Sequence, residues 1–150
     1  MKKIITLCIM IAVGLVLTGC KTTNASGQKI YKPELVQHIK GSSFKATERG
    51  YYTAELVTKP KRPIVGDNSA RLIIHDYKAT DRAGLTITAV PYLPAKDLTS
   101  DSPVTVKDAG RGLYLLEGIH ITEPGKWQMK LTISGPEETD SVVLNLRKVK

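Results

Sequence analysis

The stretch Trp127-Gln128-Met129-Lys130-Leu131-Thr132-Ile133 alternates apolar and polar residues without a break. A period of two puts Trp127, Met129, Leu131 and Ile133 on one face and the polar residues on the other, which is the pattern of a strand with one face in a core and one in water. Trp127 is the lone tryptophan of the chain, and on the inward face it is expected to anchor the core. Reading outward, Gly135-Pro136 marks a turn, and Val142, Leu144 and Leu146 form a closing strand. On the other side Glu123-Pro124-Gly125 turns the chain back to a longer strand carrying Tyr114, Leu116, Ile119 and Ile121. The phase of that strand slips at Glu117-Gly118, which predicts a β-bulge.

The same reading continues upstream. Val104 and Val106 give a short strand, and Leu85, Ile87 and Ala89 another that Pro91 and Pro94 are expected to end. Ala70, Leu72 and Ile74 follow a predicted turn at Gly66-Asp67-Asn68, and Tyr52, Ala54 and Leu56 open the series. About seven short strands with turn signals every 8–12 residues or so predict an all-β fold, an antiparallel immunoglobulin-like sandwich over residues 51–150. In that frame Tyr114 is a second anchor, its hydroxyl bonded to nearby backbone as a tyrosine corner.

The N-terminus is of a different kind. Lys2 and Lys3 precede an apolar run from Ile4 to Leu17 interrupted only by Thr6 and Gly14. That run falls short of the ~20 residues a bilayer-spanning helix needs and reads as a secretory signal over residues 1–19. It ends in Leu17-Thr18-Gly19-Cys20, which resembles the lipobox of bacterial lipoproteins. The resemblance implies cleavage before Cys20, a diacylglycerol thioether on its sulfur and an acyl chain on its amine. The protein would then be lipid-anchored in the cell envelope and face the periplasm or the outside. Lys21 favours the outer membrane in a cell that has two. Because Cys8 leaves with the signal and Cys20 carries lipid, thiol catalysis and cysteine-ligated zinc are excluded together.

Charge supports this division. The chain carries 22 Lys and Arg against 14 Asp and Glu, a net charge of +8. Two of those charges lie in the signal, and residues 20–50 hold six basic against two acidic residues (6 − 2 = +4). Residues 51–150 hold 14 against 12 (14 − 12 = +2). The excess therefore sits beside the predicted anchor, where basic residues are attracted to anionic head groups. Nucleic acid is excluded as a partner, because no basic face interleaved with aromatics is present. Residues 20–50 read as a lipidated flexible tether. A short helix is predicted over 32–40, started at Pro33 and stopped at Gly41, with Leu35, Val36 and Ile39 docked on the domain.

Several pieces in the domain resemble the YtkA-like domain, a small bacterial immunoglobulin-like module. They are Pro63-Ile64-Val65-Gly66-Asp67-Asn68, Asp81-Arg82-Ala83-Gly84, Pro91-Tyr92-Leu93-Pro94, Gly112-Leu113-Tyr114 and Pro124-Gly125-Lys126-Trp127-Gln128-Met129. The resemblance implies a secreted or membrane-anchored module associated with copper handling or respiratory-complex maturation. After removal of the signal the imidazole and thioether donors that suit copper are His38, His75, His120 and Met129. His75 and His120 both fall on outward positions, and brought together on one sheet face they would form a two-histidine metal site. Glu137, Glu138 and Asp140 fall in a predicted turn and read as solvated. With no His-x-x-x-His, nucleophile elbow or phosphate-cradling glycine loop in the sequence, the expected role is a non-catalytic binding or assembly module with an envelope protein as partner. The alternative is a copper-handling accessory protein. The sequence leaves the oligomeric state open.

Overall fold

A computed structural model describes residues 22–150. The lipobox, Leu17 to Cys20, and the predicted signal lie outside the described residues. Nine strands pack as two antiparallel sheets. They are β1 (Ser43–Ala46), β2 (Tyr52–Lys59), β3 (Gly66–Asp76), β4 (Thr86–Leu93), β5 (Leu98–Thr99), β6 (Thr105–Gly110), β7 (Leu113–Ile121), β8 (Gln128–Ser134) and β9 (Thr139–Asn145). One sheet has the order β1-β2-β3-β7-β6 and the other β5-β4-β8-β9. Among the described residues the one helical element is a single 3-10 turn over Pro94–Lys96.

The all-β sandwich expected from the alternation is the fold, with nine strands where about seven were expected. The two additional strands are β1 and β5. β1 pairs with β2 from Ser43↔Leu56 to Ala46↔Thr53, so the folded unit extends upstream of Tyr51 into the stretch expected to be tether. Pro91 does not end its strand. It lies within β4 opposite Met129, and its carbonyl accepts a hydrogen bond from the Ser100 amide on the β5 side. Its missing N–H therefore points to the side of the two-residue edge strand β5, just past their paired residues, where proline is tolerated. Gly66-Asp67-Asn68 likewise opens β3 instead of turning.

The core lies between the sheets and is built from the predicted inward residues. Leu72, Ile74, Leu116, Ile119 and Ile121 of the five-stranded sheet face Trp127, Met129, Leu131, Ile133 and Leu144, and all are 1% exposed or less. The slip in β7 is a bulge: Asn68 pairs with Ile119 and Ala70 with Leu116, so Glu117 and Gly118 together oppose Ser69. The extra residue restores Ile119 and Ile121 to the inner face. Gly112, in the β6–β7 turn, has φ +71, and a Cβ there would come within 2.6 Å of the Ile74 carbonyl oxygen. A glycine is required both for the backbone conformation and for the close approach.

Both sequence-predicted anchors are buried, Tyr114 and Trp127 each at 1% exposure. The Trp127 indole donates to the Glu123 carbonyl at 2.9 Å. The Tyr114 hydroxyl donates to the Arg82 carbonyl at 2.8 Å and accepts from the Leu85 amide at 3.1 Å. It therefore ties β7 to the β3–β4 connection, well upstream, rather than to backbone next to itself. Removing it in Tyr114→Phe leaves the buried Leu85 amide and the partly buried Arg82 carbonyl without their partner. The expected loss is about 1–2 kcal/mol of stability in denaturant unfolding, with the slope of the transition unchanged.

Candidate functional site

The outer face of the five-stranded sheet is where the described chain departs most from a plain sandwich. Alternation puts Thr53, Glu55 and Val57 of β2, Ile73 and His75 of β3, and Leu113 and Leu115 of β7 on this face. An arm formed by residues 31–42 crosses it before entering β1. Residues 32–40 are extended and irregular, not the predicted helix. Leu35 and Val36, expected on a docked stripe, are 66% and 41% exposed.

The physical reason is Glu55. Its side chain is 1% exposed and accepts from the amides of His38 (2.8 Å) and Ile39 (2.7 Å) and from the Ser42 hydroxyl (2.7 Å). A helix would direct those two amides to carbonyls four residues earlier. Nine residues nucleate a helix poorly, whereas a buried carboxylate makes strong charge-assisted bonds. Burial alone would raise the Glu55 pKa, but the His38 amide, the Ser42 hydroxyl and the Ile39 amide together outweigh it and hold the group below its ordinary 4.5.

Histidines complete the contact. The His38 and His75 rings stack with centroids 4.9 Å apart and an interplanar angle of 16°. His38 Nδ1 lies 3.4 Å from Glu55, and His75 Nε2 lies 3.0 Å from Asp81. His75 is on the outward face as predicted, yet only 3% exposed, because the arm covers it. His120 pairs with Asp67 at 2.7 Å. It sits opposite Asp67 near the start of β3, whereas His75 is near the end of that strand. At ~3.3 Å per residue along a strand, the two predicted metal ligands are roughly 25 Å apart and form no joint site. The stacked pair does not replace them, since imidazole lone pairs lie in the ring plane and parallel rings cannot aim at one ion. Among the described residues there is no group of three or more His, Cys, Asp or Glu side chains placed to hold a metal.

A second set of contacts clasps the start of the arm. The Tyr31 ring packs against Tyr51 at 4.7 Å and Tyr77 at 5.0 Å, and its hydroxyl donates to Glu138 at 2.7 Å. Arg49 pairs with the same carboxylate at 2.7 Å, and the Tyr31 amide donates to the Arg49 carbonyl at 2.7 Å. Asp140, expected to be solvated, is 6% exposed and accepts from the Thr47 hydroxyl at 2.6 Å and the Arg49 amide at 3.2 Å. Glu138 is partly buried, and Glu137 alone of the three stays exposed, reaching the Tyr51 hydroxyl. Gly50, with φ +73, has no room for a side chain beneath the Tyr31 carbonyl. The site as a whole is a mechanical one: it fixes the arm to the sheet by carboxylates at two points.

Docking of the arm is expected to depend on pH with a definite sign. The Tyr31 hydroxyl and then Arg49 hold the Glu138 pKa below its ordinary 4.5, as Glu55 is held below its own. Depressed acid pKa values contribute stability that is complete above the unfolded value and lost as pH falls through the folded one. Burial and the Glu138 carboxylate push Tyr31 up from 10.0 to about 12, so its contribution is complete below 10 and lost as pH climbs toward 12. Protease accessibility of residues 31–42 is therefore expected to be low and flat from about pH 6 to 9 and to rise at both extremes. A constant accessibility from pH 3 to 11 would contradict this.

No protein-family model matches the chain, and no curated protein matches it. Among solved structures it is similar to a DUF4426 family protein from Pseudomonas aeruginosa, with 9% identity and a TM-score of 0.51 over 74% of this chain and 96% of that one. At that identity the likeness is one of fold, a small β-sandwich domain.

Glu55, the residue that organises the arm, was not among the residues singled out from the sequence. Its one signal there is a charge between two inward apolar residues, Ala54 and Leu56, which any solvated strand face shows.

Proposed function

We propose that the chain is a lipid-anchored envelope protein whose YtkA-like, immunoglobulin-like sandwich is a non-catalytic binding or assembly module. The observation that carries this reading is an asymmetry between the two sheets. The arm occupies the outer face of the five-stranded sheet. The outer face of the four-stranded sheet is open, with Thr86 and Thr88 of β4 and Lys130 and Thr132 of β8 exposed on two neighbouring strands. Lys130 lies over the Tyr92 ring at 3.2 Å, which holds a polar, pre-organised surface in place.

What supports the anchored part is the lipobox and its short distance along the chain from the clasped arm. The arm is clasped from Tyr31 onward, so Cys20 lies eleven residues from a fixed point, a span of at most ~40 Å. The copper reading of the same resemblance needs convergent soft ligands. Met129 is fully buried in the core, and His75 and His120 lie near opposite ends of β3, so these donors do not converge.

Photo-crosslinking groups placed at Thr88, Lys130 and Thr132 in cells are expected to trap one discrete protein adduct, with none from Lys107 on the other sheet. Adducts at every position alike, or at none, would contradict a specific module. A stoichiometric copper complex of residues 22–150 in native mass spectrometry would instead favour the copper-handling role.

A further inference from the structure

The +2 of the domain conceals an uneven distribution of unpaired charge along the strands. At the end where β2 begins and β3 finishes, Asp76, Asp81, Glu137, Glu138 and Asp140 lie among cations, Arg49 pairing with Glu138 and Arg82 with Asp76 and Glu137. At the opposite end lie Lys59, Lys61, Arg62, Lys126 and Lys148, all exposed. Two adjoining grooves that share Asn145 link Lys61 with Lys126 and Lys148: Lys61, Asn145 and Arg147 line the first, and Asn145, Lys126 and Lys148 the second. Among the described residues none of the five is within ion-pair distance of a carboxylate. The acids nearby are engaged elsewhere, Asp67 with His120 and Glu123 with Lys96.

The same end displays apolar side chains. Between β2 and β3 the loop runs Pro60-Lys61-Arg62-Pro63-Ile64-Val65, and Ile64 and Val65 are 52% and 43% exposed. This exposure is built in. Asn68, 5% exposed, accepts from the Ile64 amide at 3.0 Å and donates to the carbonyls of Ile64 at 2.8 Å and Gly66 at 3.0 Å. Pro63 is buried beneath the loop. A buried amide thus fixes the backbone in a conformation that holds two adjacent aliphatic side chains in water, flanked by three cations.

We propose that this end of the sandwich, the Lys59–Val65 loop with Lys126 and Lys148, docks on an anionic lipid surface. Cations meet the head groups and Ile64 and Val65 enter the boundary between head groups and acyl chains, the composition that interfacial binding requires. A soluble polyanion would need the charges alone; the aliphatic pair displayed among cations is what favours a lipid boundary over it. At the far end the carboxylates are paired with Arg49 and Arg82, so the unpaired cations of this end are what a negative surface attracts. None of the residues of this surface belongs to the stretch between Cys20 and the Tyr31 clasp, so it acts whether or not Cys20 is lipidated.

Residues 22–150, which hold all the described strands, should co-sediment with phosphatidylcholine vesicles containing phosphatidylglycerol and not with phosphatidylcholine alone, and should dissociate as salt is raised. Lys61→Glu with Arg62→Glu is expected to weaken vesicle binding by about tenfold or more. Ile64→Ser with Val65→Ser should weaken it by about tenfold while leaving binding to polyglutamate unchanged. Lys126→Glu with Lys148→Glu, away from the loop, gives an independent check if a loop variant fails to fold by circular dichroism. Equal binding to neutral and anionic vesicles would overturn the proposal. So would wild-type vesicle binding by the Ile64→Ser, Val65→Ser variant, which would mark a polyanion site instead.

Discussion

Replacing Glu55 by alanine is expected to cost about 3–5 kcal/mol of stability, a large share of what a domain of this size possesses. The carboxylate is 1% exposed and three donors converge on it. Removing it leaves two backbone amides and a hydroxyl without an acceptor beneath the arm. The structure relaxes by releasing the arm, so unfolding is expected to split into an early step at residues 31–42 and a later one for the sandwich. Glu55→Gln keeps the shape and one acceptor oxygen, and about half the loss is expected. Calorimetry with proteolysis of the arm checks both. An alanine variant within about 0.5 kcal/mol of wild type would mean that the arm contributes nothing to the domain.

Trp127→Ala is expected to be equally severe by a different mechanism. The indole is the largest side chain in the core and 1% exposed. Its loss removes buried apolar area and leaves a cavity between the sheets, together about 3–5 kcal/mol. It also leaves the Glu123 carbonyl without its donor. A fall in Tm of roughly 10 °C or more is expected, whereas Trp127→Phe should retain a good part of the stability. Because Trp127 does not touch the arm's carboxylate clasp, arm proteolysis below the melting point should change far less than in Glu55→Ala.

These two residues mark what was and was not legible in the chain. Trp127 belongs to a seven-residue alternation, and a pattern of period two survives folding because one face must leave water. The same rule located all seven expected strands and the bulge at Glu117-Gly118. It missed Leu98–Thr99, since two residues have no period, and Ser43–Ala46, whose pairing with β2 sets the strand where the local sequence does not. It also misread residues 32–40. Pro33 and Gly41 mimic helix boundaries, but the amides of His38 and Ile39 are claimed by a carboxylate 17 and 16 residues away. Local propensity carries no trace of such a partner. His75 was placed on the correct face and its exposure misjudged for the same reason: the cover comes from elsewhere in the chain. Opposite-end placement of His75 and His120 depends on strand register, which alternation alone leaves undetermined.

Charge arithmetic behaved similarly. Summed along the sequence, the domain looks nearly neutral, and the sum hides that Lys59, Lys61 and Arg62 meet Lys126 and Lys148 at one end. Sequence neighbours fix the first three together, and only the folded pairing of the β7–β8 turn with the exit of β9, Gly125 to Val149, brings in the last two.

The central claim is an anchored module, with lipid at Cys20 and a folded unit that starts at the Tyr31 clasp. Intact-mass measurement of the full-length gene product extracted from membranes tests it most directly. The account predicts a chain beginning at Cys20 and heavier than its polypeptide by a diacylglyceryl group and an amide-linked acyl chain, with Cys20→Ser abolishing both. A mature chain that begins elsewhere, or an unmodified Cys20 in the membrane fraction, would contradict it.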